Sequence, residues 1–384
     1  MGEILGSVLK KLGIKSVINA WGTVTFLGGS TLDHTTVEAY SELSKVFVDM
    51  IKYTEAANEY VSKLLGVESA MIVPGAAAGV VIAVASLISD GDPIKASQLP
   101  FTQSLKNEIL ILKEHENPYK YLAQIPGAII KEIGNENGIT ENDLKSAING
   151  NTAGILFFDF SPINTGLSLR EISELAHELK IPVIVDAAAE LPPKINFTKY
   201  FTEGADLTIF SGGKDIAGPN NTGIIIGSSQ FIKRCKSIGP LIYKEVGGVI
   251  RTFIGRPMKM TKEDIAAFVV ALENYLNTDQ YERLKNLQFR LNTMASKLKE
   301  QNVKLKIRII KEEPGDTIRP LIIPKLAIDA SSTGLNAQNI VEQLKNYETP
   351  IYCYSIKNEI IINPQCLRPD EDNVIIEALS DILK

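Results

Sequence analysis

Three short segments of the chain carry residue types that could do chemistry, and each follows a run of apolar residues. They are PGAAAG (74–79) after SAMIV, Asp186 at the end of IPVIVD, and Lys214 in SGGK after ADLTIF. Small residues at the start of a helix let a phosphate approach backbone N–H groups at the positive end of the helix dipole. A charged side chain at the carboxyl end of a buried strand lies where open α/β sheets bind their ligands. The three segments therefore predict one shared ligand site.

Each segment taken alone also has a purely structural interpretation. PGAAAG is typical of close packing between a helix and a sheet, Asp186 could cap a helix, and a lone lysine is more often a solvated loop residue. Their order is more informative, because Lys214 follows Asp186 by 28 residues, on the next apolar run. Pyridoxal phosphate needs a lysine that binds it covalently, a carboxylate at its ring nitrogen and a helix N-terminus at its phosphate. The set therefore predicts a pyridoxal-phosphate site.

Other phosphate and metal motifs are absent from the sequence. The segment before Lys214 has Thr208 where a P-loop needs its first glycine, and Asp215 follows the lysine where a P-loop needs Ser or Thr. No Gly-x-Gly-x-x-Gly follows the first apolar strand. Three scattered cysteines without a Cys-x-x-Cys predict neither a disulfide framework nor a metal site.

The elements that must position these residues follow a repeating pattern. Apolar runs alternate with helical segments between about residues 60 and 245, which is typical of a parallel sheet covered on both faces. A long helix begins at Thr261, and shorter strands and helices follow it. We expect an α/β fold with a lead-in segment (1–35), a large cofactor-binding domain (36–260), and a linking helix with a small α+β domain (261–384).

Composition limits the function classes. The chain has 384 residues, 45% of them hydrophobic and 22% charged, and a formal net charge of −5. These values are ordinary for a globular protein, and the mild acidity argues against a partner nucleic acid held by bulk charge. The sequence has neither the apolar stretch of a signal peptide nor a run long enough to span a membrane. We expect a cytoplasmic protein that acts on a small molecule.

The sequence resembles the fold type I pyridoxal-phosphate enzymes. Within them it is similar to the branch that holds bacterial selenocysteine synthase (seryl-tRNA selenium transferase) and D-glucosaminate-6-phosphate ammonia-lyase. The stretches that carry the resemblance are INAWGTVTFLGGS (18–30), PGAAAG (74–79), PVIVDAAAELPP (182–193), FSGGKDIAGPNNTGIIIG (210–227) and IGRPMKMTKED (254–264).

The resemblance implies roles for individual residues. Lys214 and Asp186 would be catalytic, with Lys214 bonded to the cofactor and Asp186 at the ring nitrogen. The implied cofactor-binding residues are Gly75, Ala76, Ala77, His115, Ser161, Asn164, Asp186, Ala188, Ser211 and Lys214, with His115 and Ala188 on opposite faces of the ring. The implied substrate-anion residues are Arg251, Arg256, Lys259 and Arg368. Three residues depart from the pattern of this branch, namely Pro74, Gln365 and Trp21.

The resemblance also implies a reaction and an assembly. Lys214 would remove the Cα proton of a 2-amino-3-hydroxy acid, D-glucosaminate 6-phosphate being one example. Loss of the β-hydroxyl as water would give an enamine, which hydrolyses to a 2-keto acid and ammonia. One alternative is a selenium or sulfur transferase on seryl-tRNA, whose bacterial members carry an extra N-terminal tRNA-binding domain. We rank it lower, because the family motif begins by about Ile18 and we expect no basic segment to replace that domain. Another is a non-catalytic pyridoxal-phosphate-binding protein, against which the intact Asp186 and Lys214 argue. A homodimer or larger homo-oligomer is implied as well.

Overall fold

A computed structural model describes residues 8–115, 117–135, 137–159, 165–301, 305–311 and 318–383. The chain divides into two compact units, a larger one over Leu32–Asn277 and a smaller one that joins Met1–Thr31 to Thr278–Lys384.

The elements are numbered along the chain. The strands are β1 Ile18–Asn19, β2 Ser69–Val73, β3 Glu108–Leu112, β4 Ile129–Ile133, β5 Thr152–Phe158, β6 Val183–Asp186, β7 Leu207–Ser211, β8 Gly223–Gly227, β9 Lys244–Val246, β10 Val249–Arg251, β11 Lys306–Ile310, β12 Lys325–Asp329, β13 Ile351–Tyr352, β14 Tyr354–Ile356 and β15 Glu359–Ile362. The α-helices are α1 His34–Leu43, α2 Met50–Leu65, α3 Ala76–Ser89, α4 Pro93–Ala96, α5 Glu141–Ala147, α6 Leu169–Glu178, α7 Asn196–Thr202, α8 Ser229–Ser237, α9 Lys262–Asn277, α10 Gln280–Gln301, α11 Ala337–Lys345 and α12 Glu371–Ile382. Residues 8–12 are helical as well.

The larger unit is built on a seven-stranded sheet with the order β2-β8-β7-β6-β5-β3-β4. Its strands are parallel except for β8, which runs antiparallel to both of its neighbours, β2 and β7. Alternate residues of one strand pack into different apolar clusters, with Val183 and Val185 in one and Ile184 in the other. Both faces of the sheet are therefore covered, which explains why its strands appear in the sequence as continuous apolar runs.

Helix α3 follows β2 after two residues, Pro74 and Gly75, and most of it is buried. Eleven of its fourteen residues are buried, from Gly79 to Ser89. A Cβ on Gly79 would lie 2.9 Å from Ile209 Cγ2 on β7, so this glycine allows the helix to approach the sheet. The packing interpretation of PGAAAG therefore holds for its last residue. No helix in the described part of the chain is long and apolar enough to cross a membrane.

The limits of the two units differ from the expected domain limits at two places; strand pairing explains the first and side-chain packing the second. The lead-in segment, expected over 1–35, belongs to the smaller unit as far as Thr31, where β1 pairs in parallel with β13, Ile18 opposite Ile351. Helix α9 belongs to the larger unit, because its Phe268 packs in the same cluster as the sheet residue Phe210. The smaller unit also has an antiparallel sheet with the order β11-β12-β15-β14. Its core includes residues of α10, α11 and α12.

Candidate functional site

The three chemistry-bearing segments meet at one edge of the large sheet. Strands β2 and β7 both run antiparallel to β8, so they point the same way as β5 and β6. Their carboxyl ends lead into PGAAAG, Ser211–Lys214 and Asp186. Asp186 ends β6 and Lys214 follows β7, its parallel neighbour in the sheet, and the positive charge of Lys214 lowers the pKa of the Asp186 carboxyl group.

The segment after β2 forms an open helix N-terminus. Gly75 has φ +91° and is the residue before the first turn of α3, where no side chain caps the helix. Among the described residues, apart from the glycine's own chain neighbours and the backbone of its helix, no atom lies within 4 Å of the place that a Cβ on Gly75 would occupy, and Ala77 is exposed. The backbone N–H groups of this first turn are therefore accessible to an anion, at the positive end of the helix.

Asp186, the last residue of β6, is a half-buried carboxylate with few partners. Its Oδ1 accepts a hydrogen bond from the backbone N–H of Ala188 at 3.0 Å. Burial raises the pKa of Asp186 to about 6, against the lowering effects of that hydrogen bond and of Lys214. A cationic N–H group placed against this carboxylate would favour its ionised form. The arrangement fits the protonated ring nitrogen of pyridoxal phosphate.

Lys214 is held by a tight turn that only glycine permits at two positions. A Cβ on Gly212 would lie 2.2 Å from Thr222 Oγ1, and one on Gly213 would lie 2.4 Å from Asn220 Cα. The backbone N–H of Gly212 donates to the Thr222 carbonyl at 2.8 Å, which ties the turn to the strand that follows it. Lys214 is half-buried, so the solvated-loop interpretation of this lysine does not hold.

His115 lies in a short 3-10 helix directly after β3, and only 1% of its surface is exposed. Its Nδ1 accepts a hydrogen bond from the backbone N–H of Phe158 at 3.2 Å, and the edge of its ring meets the Phe157 ring at 4.5 Å between centroids. Burial lowers the pKa of His115 to about 4, against the opposing charge of Asp159. At neutral pH the imidazole is therefore uncharged with its proton on Nε2, a form suited to stacking on an aromatic ring.

The predicted anion-binding residues occupy different places. Arg256 and Lys259 line one surface cleft of 430 Å³ in the larger unit, whereas Arg251 is exposed on β10 and is not among the residues that line this cleft. Arg368 belongs to the smaller unit, where its Nε donates to Glu371 Oε1 at 2.8 Å. A substrate carboxylate would have to displace Glu371 from Arg368.

The remaining predicted residues follow the same strand ends or lie outside the described residues. Ala188 is half-buried two residues after Asp186, and Ser211 is the half-buried last residue of β7. Ser161 and Asn164 lie outside the described residues.

Three residues near the site, Asp159, Tyr200 and Gly223, were not identified from the sequence. Asp159 follows β5, and its carboxylate accepts a hydrogen bond from Tyr200 at 2.6 Å. Gly223 is the first residue of β8 and lies against the segment between β2 and α3. A Cβ on Gly223 would lie 2.8 Å from the carbonyl carbon of Gly75. Asp159 could have been identified from the sequence, because it directly follows the apolar run AGILFF, just as Asp186 directly follows VIV.

These features together fit pyridoxal phosphate. The uncapped first turn of α3 can bind a phosphate, Lys214 can bond to the aldehyde, and Asp186 can pair with the ring nitrogen. The described residues include no group of three or more His, Cys, Asp or Glu side chains that could hold a metal ion.

Comparison with known proteins gives a consistent set of similarities. The family model described as L-seryl-tRNA selenium transferase matches residues 120–368. D-glucosaminate-6-phosphate ammonia lyase of Salmonella typhimurium is 30% identical over 98% of each chain. A 5'-C-glycyluridine monooxygenase-decarboxylase of Streptomyces is 27% identical, over 97% of this chain and 91% of that protein. The L-seryl-tRNA(Sec) selenium transferase of Alkaliphilus oremlandii is 22% identical, over 100% of this chain and 86% of that protein.

Solved structures extend the comparison to the fold. A structure of D-glucosaminate-6-phosphate ammonia-lyase has a TM-score of 0.84 at 29% identity and covers 98% of both chains. An aspartate aminotransferase of Thermotoga maritima has a TM-score of 0.52 at 15% identity, covering 99% of this chain and 95% of its own, which shows the shared fold alone. The predicted α/β fold of fold type I is confirmed.

Proposed function

The chain belongs to the L-seryl-tRNA selenium transferase family, and we propose that within this family it is a pyridoxal-phosphate-dependent ammonia-lyase. Its substrate would be a 2-amino-3-hydroxy acid. Loss of the β-hydroxyl as water would leave an enamine, whose hydrolysis takes up one water and gives a 2-keto acid and ammonia. The observation that carries the cofactor assignment is the meeting of an uncapped helix N-terminus, Asp186 and Lys214 at one sheet edge.

The cofactor would be held by residues from four strand ends. The first turn of α3, with Gly75, Ala76 and Ala77, would bind the phosphate, and Ser211 would add a hydroxyl donor. Asp186 would pair with the ring nitrogen, and Lys214 would provide the covalent bond. The ring would lie between Ala188 and His115. The further contacts proposed for Ser161 and Asn164 are on the side of the ring that carries its 3-hydroxyl.

Bound pyridoxal phosphate supplies an electron sink for the bonds at the substrate Cα. Asp186 would keep this sink effective by holding a proton at the ring nitrogen, because an anionic carboxylate stabilises a cationic partner. Lys214, released from the cofactor when substrate binds, would take the Cα proton as a general base. Proton transfer back to the departing hydroxyl group would complete the loss of water.

The choice of a lyase over a transferase rests on the extent and degree of similarity. The ammonia lyase of Salmonella typhimurium is 30% identical with 98% of its length covered, whereas the selenium transferase of Alkaliphilus oremlandii is 22% identical with 86% of its length covered. The likeness to the solved ammonia-lyase structure, with its TM-score of 0.84, supports the same choice.

The proposal includes an anion site, an assembly and a location. Arg256 and Lys259, which share a cleft, are proposed to hold an anionic group of the substrate or the cofactor phosphate, with Arg251 and Arg368 as further candidates. Arginine is favoured for this role, because its guanidinium binds carboxylate or phosphate through two hydrogen bonds. A homodimer or larger homo-oligomer in the cytoplasm is proposed on the family resemblance.

A substrate panel tests the proposed reaction. Purified protein loaded with pyridoxal phosphate would be incubated with D-glucosaminate 6-phosphate, D-glucosaminate and the two enantiomers of serine, and 2-keto acid and ammonia would be measured together. We expect both products in equal amounts from at least one 2-amino-3-hydroxy acid, and none with Lys214→Ala. Silence across the panel in a protein that retains its cofactor would contradict the lyase.

The second candidate function is selenium or sulfur transfer to seryl-tRNA. It is supported by the match of residues 120–368 to the family model described as L-seryl-tRNA selenium transferase. It predicts tight tRNA binding that weakens steeply with salt, because phosphate contacts release counterions. A non-catalytic cofactor-binding protein would be silent in both assays.

A further inference from the structure

The larger unit contains an apolar cavity to which the proposed function gives no role. Its volume is about 170 Å³, and residues of α2, β2 and the segment between α8 and α9 line it. The apolar residues of its wall include Val73, Ile82, Ile242 and Ile265, and its charged residues are Glu55 and Lys236. An aliphatic cavity of about 150 Å³ can bind benzene, so this cavity has room for a ring of that size.

Methionine is concentrated at this cavity. Four of the six methionines of the chain line it, namely Met50, Met71, Met258 and Met260. Methionine side chains are unbranched and polarizable, and they are common on binding surfaces that adapt to more than one ligand. The cluster therefore favours a wall that adjusts to a bound apolar group.

Two polar side chains four residues apart on α2, Thr54 and Asn58, also line the cavity. Asn58 is only 3% exposed, and its Oδ1 accepts a hydrogen bond from the backbone N–H of Ile72 at 2.8 Å. Among the described residues, neither the Nδ2 of Asn58 nor the buried hydroxyl of Thr54 has a hydrogen-bond partner. Buried polar groups are normally hydrogen-bonded, so this pair indicates a place for a polar atom of a ligand.

The cavity adjoins the basic cleft that contains Arg256 and Lys259. Three residues line both of them, Met50, Leu241 and Met260. Arg256 is half-buried, and neither Arg256 nor Lys259 forms an ion pair with a residue in the described part of the chain. Lys262, which also lines the cleft, pairs with Glu263, so these two charges offset each other. A half-buried guanidinium without a counter-ion favours an anionic ligand.

We propose that the cavity and the cleft form one site for a small amphiphilic anion, a carboxylate or a phosphate monoester. Its apolar body, about the size of a phenyl ring, enters the cavity, and its anionic group binds Arg256 and Lys259. A polar atom on the body accepts a hydrogen bond from Asn58. This inference rests on the anion site of the proposed function, which leaves the remainder of the anionic molecule undefined, and it requires neither bound cofactor nor turnover.

Methyl NMR of the full-length, cofactor-free protein gives a readout at the site itself. The protein, with isotope-labelled methionine methyl groups, would be titrated with phenylacetate, phenylpropionate and phenylbutyrate, each with and without a para-hydroxyl group, and with phenylethyl phosphate. We expect saturable shifts of the Met71 and Met258 signals, with a Kd below about 1 mM for at least one of these anions. Met294, in the core of the smaller unit, is the internal reference and should not shift.

Analogues of the probes separate the three parts of the site. Propionate, which has no ring, should give no saturable shift, because burial of the ring supplies most of the affinity. Phenylpropionamide, which has no charge, should bind roughly tenfold more weakly than phenylpropionate, because its bond to Arg256 is no longer between ions. A para-hydroxyl group should strengthen binding roughly fivefold through the Asn58 donor.

Variants test the same parts from the side of the protein. Arg256→Gln should weaken phenylpropionate roughly tenfold and leave phenylpropionamide unchanged. Arg170→Gln is the matched control, because Arg170 is an exposed arginine on α6 that lines neither the cavity nor the cleft, and it should change neither affinity. Met258→Trp, which fills part of the cavity, should abolish binding of the ring-bearing probes, with thermal unfolding as the check that the variant is folded.

Two results would overturn the proposal. One is the absence of saturable shifts with every ring-bearing anion, and the other is equal probe affinity in Arg256→Gln and Arg170→Gln. If the first result came with dissociation of an oligomer by Phe47→Glu, a second copy of the chain would be the occupant, because Phe47 is fully exposed at the cleft. A failure of the proposed function would appear instead as absent cofactor or absent products in a wild-type protein that still binds the probes.

Discussion

Asp186 and Asp159 are carboxylates at neighbouring strand ends, and their surroundings differ in one decisive respect. Among the described residues, a single backbone N–H donates to the Asp186 carboxylate, and burial outweighs the effect of Lys214 to raise its pKa to about 6. Asp159 instead accepts a hydrogen bond from the Tyr200 hydroxyl and has Lys199 near the same oxygen. The carboxylate with fewer hydrogen-bond partners, Asp186, is therefore available to a ligand, whereas that of Asp159 is bound by neighbouring side chains and stabilises the local structure.

The largest expected effect is on turnover. Asp186→Ala should lower kcat about a thousandfold, because it removes a charge placed against the reacting system. The cofactor should still bind, through Lys214 and the first turn of α3. Steady-state kinetics with absorbance of the bound cofactor would check both statements, and Asp159→Asn, expected to lose only about tenfold, is the matched comparison. Similar losses in the two variants would break the distinction between the carboxylates.

The stability of the cofactor-free protein should change in opposite directions for the two residues. Asp186→Asn should raise the free energy of unfolding at pH 7 by roughly 2 kcal/mol, because it removes the charge of a half-buried carboxylate whose pKa is raised. Asp159→Asn should lower it by about 1 kcal/mol, because a charge-assisted hydrogen bond from Tyr200 is weakened. Denaturant unfolding at pH 7 would measure both. A loss of stability in Asp186→Asn would contradict the account.

The pH dependence sharpens the same contrast. A carboxyl group with a raised pKa in the folded state contributes stability at low pH that is lost as the pH rises from 3.8 toward 6. The stability advantage of Asp186→Asn over the wild type should therefore be absent near pH 4, grow between pH 4 and 6, and remain constant above pH 7. Unfolding curves for the two proteins across this range test it, and an advantage that does not vary with pH would point to packing rather than charge.

The smallest expected effect separates the two partners of Asp159. Lys199→Gln should change the free energy of unfolding by less than about 0.5 kcal/mol, because its Nζ lies 3.9 Å from the carboxylate and its side chain is 40% exposed. Tyr200→Phe should cost about 1 kcal/mol in the same experiment, because its hydroxyl is buried. Equal costs would show that the ion pair contributes as much as the hydrogen bond.

The strand ends that carry Asp186 and Lys214 could be predicted because their signals are local. Asp186 directly follows a continuous apolar run and Lys214 follows one after three residues, and a buried parallel strand explains such runs. The two glycines before Lys214 are also local, since the turn admits no Cβ at Gly212 or Gly213. The family resemblance added the individual contacts that spacing alone does not assign.

What escaped prediction depends on pairings between distant parts of the chain. Tyr200 lies 41 residues after Asp159, and no local sequence pattern around either residue indicates their hydrogen bond. Gly223 matters only because β8 runs antiparallel past the loop at Gly75. The first residues join the smaller unit through the pairing of Ile18 with Ile351, which no local pattern could indicate.

The central claim is that Lys214 bonds to pyridoxal phosphate at this sheet edge. The most direct measurement is borohydride reduction of the loaded full-length protein, followed by digestion and mass spectrometry to locate the cofactor. The account predicts the added mass on the peptide that contains Lys214, with no labelled peptide from Lys214→Ala treated in the same way. Labelling of another lysine in the wild type, or no labelling at all, would contradict it.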